Sequence, residues 1–181
     1  VEAYRRIVDV CRDVTDKFDY MWSPLGHEEL ASYFPGEDYA DVIGLSVFGP
    51  QAWEIGILGQ ARSFRDIFEP RYQRALAFDL PIVVAELGYV GTGDYVEKWN
   101  QEVRQGLEDF PGLQAVIYFN QHEVHPWPND YGLPDWQFPV NTLPSGSHQS
   151  RRFCVKLALF CHMQIRGVVI FTTHPGLLLL Q

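Results

Sequence analysis

The carboxylate of Glu86 follows the apolar run that opens "IVVAELG", residues 82–88. The β-branched residues before it can be buried on both faces of a sheet, and a glycine follows closely, so the pattern predicts a strand with Glu86 near its carboxyl end. Carboxylates are rarely buried unless they are paired. Glu86 is therefore either a salt-bridged residue at the solvent-exposed rim or a catalytic or binding residue held by its neighbours.

A second group of polar residues lies within one segment further along the chain. Its spacing matches neither the H-E-x-x-H zinc pattern nor a calcium loop, and two prolines restrict the backbone there. We therefore predict no metal site and no cofactor, and we interpret these side chains as contacts to outer sugar rings or as a solvated loop. The group consists of His122, Glu123, His125, Asp130 and Asp135.

Large aromatic residues in the predicted loops are candidates for a ligand-binding cleft. Sugars present flat faces of C–H groups with hydroxyls around the edge, so a sugar site needs aromatic walls beside amide or carboxylate groups. The alternative is that these rings fill the rim of the fold. Trp99 lies on the apolar stripe of a predicted helix and is assigned to the core. The loop candidates are Trp22, Trp53, Tyr89, Trp127 and Trp136.

Alternating helices and strands must position these side chains. Apolar residues recur at helical spacing over residues 2–17, 63–78 and 93–110. Short runs of β-branched and aromatic residues lie between these predicted helices. Ser63 and Asp66 form an imperfect capping box at the start of the second helix, which Pro70 is expected to bend or interrupt. The predicted strands are Phe18–Trp22, Val42–Phe48, residues 81–88 and Ala115–Asn120.

This alternation predicts an α/β fold with a parallel sheet. Candidate functional residues follow each strand: Trp22 the first, Phe48 the second, Glu86 the third and Asn120 the fourth. Functional groups at the carboxyl ends of successive strands are typical of a (β/α)₈ barrel, of which four strands are half. An open flavodoxin-like sheet is the alternative, although no Gly-rich phosphate loop follows any strand.

Charge excludes one class of partner and sets one segment apart. The net charge of −9 argues against a nucleic-acid partner, which requires basic patches. All 23 acidic residues precede residue 142, whereas the remainder carries 4 basic residues and no acid. We predict that residues 139–181 are frame-shifted or disordered, the alternative being a divergent extension. Polar and charged residues interrupt the apolar part of this segment, so we predict no membrane span.

Four segments give the chain a family resemblance: "DYMWSP", "YFPGEDYADVIGLSVFG", "FEPRYQRALAFDLPIVVAELG" and "AVIYFNQ". Residues 1–138 resemble the C-terminal half, about strands 5 to 8, of the catalytic (β/α)₈ barrel of glycoside hydrolase family 26, the β-mannanase-like group. The resemblance implies a retaining β-glycosidase that acts on a mannan-like or glucan-like polysaccharide, with Glu86 as the nucleophile. It also implies secretion or a cell-envelope location.

Two departures from the family pattern concern the site. The family commonly has a tyrosine that donates a hydrogen bond to the nucleophile, and Phe48 stands at that position, so the donor is lost unless Ser46 or another residue replaces it. The family often has a tryptophan sugar platform where this chain has Tyr118, which can still stack on a sugar.

The general acid of the family lies on the fourth strand of the barrel, which would precede Val1. The chain is therefore expected to be a fragment that holds half of the catalytic pair and is inactive alone. One alternative is a non-catalytic carbohydrate-binding barrel, which Phe48 favours. Another is that a half barrel with open sheet edges does not persist as a folded monomer.

Overall fold

The computed structural model describes residues 1–137 and the backbone of residues 168–172 and 178–180. These residues form four α-helices and six strands. Short 3₁₀ turns lie at Leu30–Tyr33, Glu37–Tyr39 and Leu76–Phe78. The helices are α1 (Glu2–Val14), α2 (Gln51–Leu58), α3 (Phe64–Ala75) and α4 (Gly93–Asp109), and the strands are β1 (Met21–Trp22), β2 (Val42–Pro50), β3 (Ile82–Val90), β4 (Leu113–Phe119), β5 (Val168–Thr172) and β6 (Leu178–Leu180).

The strands form one sheet in chain order, β1-β2-β3-β4-β5-β6. Strands β1 to β4 are parallel, whereas β5 runs antiparallel to β4 and β6 antiparallel to β5. Helix α3 connects β2 to β3 and α4 connects β3 to β4, which is the crossover that parallel neighbours need. The predicted α/β fold with a parallel sheet is therefore confirmed.

Most of the segment 139–181 lies outside the described residues. The prediction that this segment is frame-shifted or disordered therefore concerns mainly residues that the structure does not describe. Its described parts are β5 and β6. Residues 168–172 pair with residues 115–119 of β4, and residues 178–180 pair with residues 168–170.

The main core lies between the parallel strands and helices α3 and α4. Leu45, Val47, Val84 and Leu87 are each 0% exposed on this face of the sheet, which we call the helix-covered face. Burying such a side chain contributes roughly 1.5–3 kcal/mol each to the hydrophobic driving force. The alternation of apolar residues along β2 thus selects which face the helices cover.

Helix α3 begins with the predicted capping box. The Ser63 hydroxyl accepts the backbone N–H of Asp66 at 3.2 Å, and the Asp66 carboxylate accepts the backbone N–H of Ser63 at 2.8 Å. The predicted interruption of the helix at Pro70 is wrong, because α3 continues through Pro70 to Ala75, whereas the bend stays a prediction. Pro70 lies on the exposed side of the helix, where a lost backbone hydrogen bond can be replaced by water.

Strand β3 continues past the predicted end at residue 88 as far as Val90, and it contains a bulge. Leu45 pairs with Val84 but Ser46 pairs with Glu86, so Ala85 is an extra residue in β3. The bulge brings Ala85 and Glu86 to the same face of the sheet, since a Cβ added at Gly44 would lie 2.8 Å from the Ala85 Cβ. We call this second face, which also carries Ser46 and Phe48, the site face.

Other boundaries differ from the sequence predictions by a few residues. Helix α1 ends at Val14 rather than residue 17, and β1 consists of Met21–Trp22 alone. Helix α2, which follows β2 directly, was not predicted.

Candidate functional site

Glu86 lies on the site face with its side chain exposed and one oxygen engaged by the neighbouring strand. The Ser46 hydroxyl donates a hydrogen bond to Glu86 Oε2 at 2.8 Å. Ser46 itself is 4% exposed, so the surrounding side chains restrict the position of its hydroxyl. A hydrogen bond to an ionised group is stronger than one between neutral groups. Ser46 therefore supplies the donor that Phe48 cannot.

Arg71 of α3 contacts the backbone of Ser46. Its guanidinium donates to the Ser46 carbonyl oxygen, and its stem lies against Gly26, where an added Cβ would be 3.0 Å from the Arg71 Cβ. Burial, with Arg62 and Arg74 nearby, lowers the pKa of Arg71 to about 10. The side chain thus remains charged at neutral pH. Sequence reasoning missed this residue because it reads as an ordinary polar position on an amphipathic helix.

An aromatic cluster lies beside Glu86 on the site face, with Phe48 at its centre. Ring centroids of Phe119, Trp127 and Trp136 are 5.9, 6.0 and 5.0 Å from that of Phe48. Gly88 lies beneath these rings, because an added Cβ would be 2.8 Å from Phe48 and 3.0 Å from Trp136. Phe48 is two residues beyond Ser46, a distance of roughly 7 Å along a strand.

The segment that follows β4 folds back on itself and brings tryptophans to this cluster. His122 bridges to Asp135, and Trp127 bridges to Gly132 around a turn. The turn contains positive φ angles at Asn129 (60°), Asp130 (56°) and Gly132 (88°), which these residue types tolerate best. We call residues 120–137 the aromatic hairpin.

Helix α2 connects to the aromatic hairpin through Trp53. Its indole N–H donates to the Pro128 carbonyl oxygen at 3.1 Å, and its ring lies 6.0 Å from that of Trp127. The rings of Trp53 and Trp127 are both half-buried. The structure therefore brings Phe48, Trp53, Trp127 and Trp136 together, and the first three remain partly accessible. Trp136 is fully buried within the cluster.

Three predicted aromatic residues lie elsewhere. Trp22 is 7% exposed and packs against Phe34 and Phe78 at the start of the sheet, with ring centroids 5.3 and 5.5 Å away. Tyr89 and Tyr118 lie on the helix-covered face, 4% and 1% exposed. The structure does not bring these rings to Glu86.

Packing explains the position of the two tyrosines. The Tyr89 ring stacks on Trp99 of α4 at 5.1 Å and lies 5.3 Å from the Tyr118 ring in an edge-on arrangement. The Tyr118 hydroxyl donates to the Tyr89 carbonyl oxygen at 3.5 Å. Burial raises the pKa of both phenols above the ordinary value. Asn120, the remaining predicted residue, is half-buried directly after β4.

Glu123, interpreted above as an outer sugar contact or part of a solvated loop, is half-buried at the edge of the aromatic cluster. Its Oε2 accepts the indole N–H groups of Trp127 at 3.1 Å and Trp136 at 3.3 Å, and its Oε1 accepts the Val124 N–H at 3.0 Å. The spacing of four residues between Glu123 and Trp127 is not distinctive in sequence. The contact with Trp136 depends on the fold of the hairpin.

Two other polar residues of the hairpin, His122 and Asp135, pair with each other. His122 Nδ1 lies 3.0 Å from Asp135 Oδ1, and both side chains are exposed. Within the described residues, no group of three or more His, Cys, Asp or Glu side chains could hold a metal ion. Over the same residues, no helix has the length and apolar character required to cross a bilayer.

Comparison with known proteins adds no assignment: neither a protein-family model nor a curated protein matches this chain.

Proposed function

We propose that Glu86 is the nucleophile of a retaining β-glycosidase site that acts on a β-linked, mannan-like or glucan-like polysaccharide. The observation that carries the proposal is the exposed carboxylate with a serine donor at 2.8 Å, aimed by a strand bulge toward the face that carries the aromatic cluster. A carboxylate nucleophile needs donors that orient it and an unobstructed oxygen for the attack. Aromatic rings beside it suit the C–H faces of a sugar.

We also propose that the four parallel strands are half of a (β/α)₈ barrel. Their order follows the chain, their helices cover one face, and the candidate site occupies the other. Helix α1 has an exposed apolar stripe of Ile7 (63%), Val10 (57%) and Val14 (82%), at a spacing suited to a neighbouring helix. Strand β1, at the edge of the sheet, can accept a further strand.

Retaining glycosidases require a second carboxyl group, about 5–5.5 Å from the nucleophile, to protonate the leaving oxygen. The resemblance assigns that acid to a strand outside this chain. The 181-residue chain is therefore expected to react only with sugars whose leaving group needs no protonation.

A non-catalytic carbohydrate-binding barrel is the second candidate. Phe48 favours it, because its ring packs into the aromatic cluster and has no hydroxyl to offer Glu86. In that case the aromatic cluster would still bind a sugar, while Glu86 would make only polar contacts.

Covalent labelling tests the first candidate directly. A 2-deoxy-2-fluoroglycosyl fluoride of the mannose or glucose series carries a leaving group that departs without an acid, and its fluorine at carbon 2 slows hydrolysis of the ester formed. Incubation of the full chain should add one fluoroglycosyl group, located on the peptide that contains Glu86 by mass spectrometry.

The matched controls are Glu86→Gln, which should abolish labelling, and Glu28→Gln, which changes an exposed loop glutamate and should not. Absence of labelling with both sugar series contradicts the nucleophile assignment. Retained binding of an oligosaccharide without labelling would favour the non-catalytic candidate.

A further inference from the structure

Glu123 makes an unusual set of contacts for a loop carboxylate. One of its oxygens, Oε2, accepts hydrogen bonds from two indole rings, those of Trp127 and Trp136. The other oxygen accepts the backbone N–H of Val124. Each indole has a single N–H donor, so both tryptophans of the aromatic hairpin direct that donor at the same atom.

These hydrogen bonds restrict the rotation of both rings. The Trp127 and Trp136 centroids are 5.3 Å apart with an interplanar angle of 55°, and each ring also contacts Phe48. Trp136 is completely buried, so packing alone can hold it. Trp127 is half-buried and sits at the edge of the cluster beside Trp53, so its orientation depends more on the hydrogen bond.

The electrostatic environment favours the ionised carboxylate. Burial raises the pKa of Glu123, but the hydrogen bonds from Trp127, Trp136 and the backbone together outweigh that effect and lower it. Bonds to an ionised acceptor are stronger than those to a neutral one. Glu123 is thus charged at neutral pH and bonded to both indoles.

The cluster is continuous with the candidate nucleophile through β2 and β3. Phe48 is on the same face as Ser46, and Gly88 is on the same face as Glu86, with Trp136 packed against both Phe48 and Gly88. A sugar chain that places one ring at Glu86 would therefore extend over the rings that Glu123 orients.

We propose that Glu123 is a positioning residue that fixes the Trp127 ring as a platform for a sugar unit adjacent to the one at Glu86. The proposal rests on the proposed carbohydrate site, since it needs a sugar ligand. It assigns Glu123 no contact with the reacting atoms.

Two readouts on the full chain test the proposal: binding of mannohexaose and cellohexaose by calorimetry, and the exciton couplet of the paired indoles in circular dichroism. In Glu123→Ala the couplet should disappear. The affinity for the hexasaccharide should fall roughly 2- to 10-fold, which corresponds to the loss of one aromatic contact. Glu123→Gln retains the volume and one acceptor oxygen, and should restore part of both signals. Glu28→Gln should leave both unchanged.

Unchanged couplet and affinity in Glu123→Ala overturn the proposal. Lower affinity with an unchanged couplet overturns it as well, because Glu123 would then contact the sugar itself. If Glu123→Ala does not fold, Glu123→Gln decides by the same two criteria. If the wild-type chain binds neither hexasaccharide, the carbohydrate site fails, while the couplet still tests whether Glu123 orients the rings.

Discussion

Replacement of Glu54 is expected to cost more stability than any other single change of a charged residue in the site region. Glu54 of α2 is 0% exposed. Its Oε1 accepts both the Nε and a terminal nitrogen of Arg62 at 2.9 Å, and its Oε2 accepts the Arg62 backbone N–H at 2.8 Å. The Tyr95 hydroxyl lies 3.4 Å from the same oxygen. The Glu54 carboxylate therefore holds the segment between α2 and α3 against α2.

Its contribution follows from these contacts. Breaking a buried ion pair by removal of one partner costs about 3–5 kcal/mol. The Arg62 side chain is 36% exposed and can be rehydrated after the change, so the cost in Glu54→Ala should be lower, about 2–4 kcal/mol. Glu54→Gln keeps the volume and one acceptor, and about half of that loss is expected.

Urea unfolding at neutral pH measures both variants, with an unchanged slope as the criterion that only stability has altered. The midpoint of thermal unfolding should fall by roughly 5–15 °C in Glu54→Ala. Glu108→Ala, an exposed position on α4, is the matched control and should change stability by less than about 0.5 kcal/mol. A loss below about 1 kcal/mol in Glu54→Ala would refute the reasoning, since it would mean that the pair is open or hydrated in solution.

Three further predictions concern the site face and α3. Ser46→Ala should slow fluoroglycoside labelling of Glu86 by about 2- to 10-fold, with stability nearly unchanged, because water can replace the lost donor of an exposed carboxylate; an unchanged labelling rate would show that Ser46 does not orient the nucleophile. Gly88→Ala should shift the near-ultraviolet circular dichroism of the aromatic cluster, since the new methyl group would lie within 3.0 Å of two rings; an identical spectrum would contradict that packing. The hydrogen bonds from Ser63 lower the pKa of Asp66, so its contribution should be present above the unfolded-state pKa and disappear as pH falls through the folded-state value. Asp66→Asn should then lower stability by about 0.5–2 kcal/mol at neutral pH and converge with wild type in acid, whereas an equal difference at all pH values would exclude the capping carboxylate as its cause.

The structure changes which residues are the best candidates for a sugar site. Glu86, Phe48, Trp53 and Trp127 lie on or beside one accessible face, and Trp136 supports them from within the cluster. Trp22, Tyr89 and Tyr118 contribute to the core instead. Binding assays should therefore begin with Trp53 and Trp127.

Local patterns in the sequence determined the types and the order of helices α1, α3 and α4 and of the four parallel strands. The apolar, β-branched runs in β2 and β3, the helical stripe of α4 and the capping box at Ser63 all act over a few residues, so they can be read without knowledge of distant contacts. They predicted the parallel α/β fold, and they identified Glu86 as the carboxylate to examine. The assignment of Trp99 to the core was also confirmed, at 0% exposure.

Tertiary structure alone decided which side chains share the site face. The bulge at Ala85 depends on the pairing of β3 with its neighbours, and it shifts the register so that Leu87 and Tyr89 face the helices while Glu86 faces Ser46. A shift of one residue reverses the face of every later side chain in a strand, and no local pattern specifies it. The contacts of Arg71 with Ser46, and of Glu123 with Trp136, likewise join residues 25 and 13 positions apart, and only the folded chain brings them together.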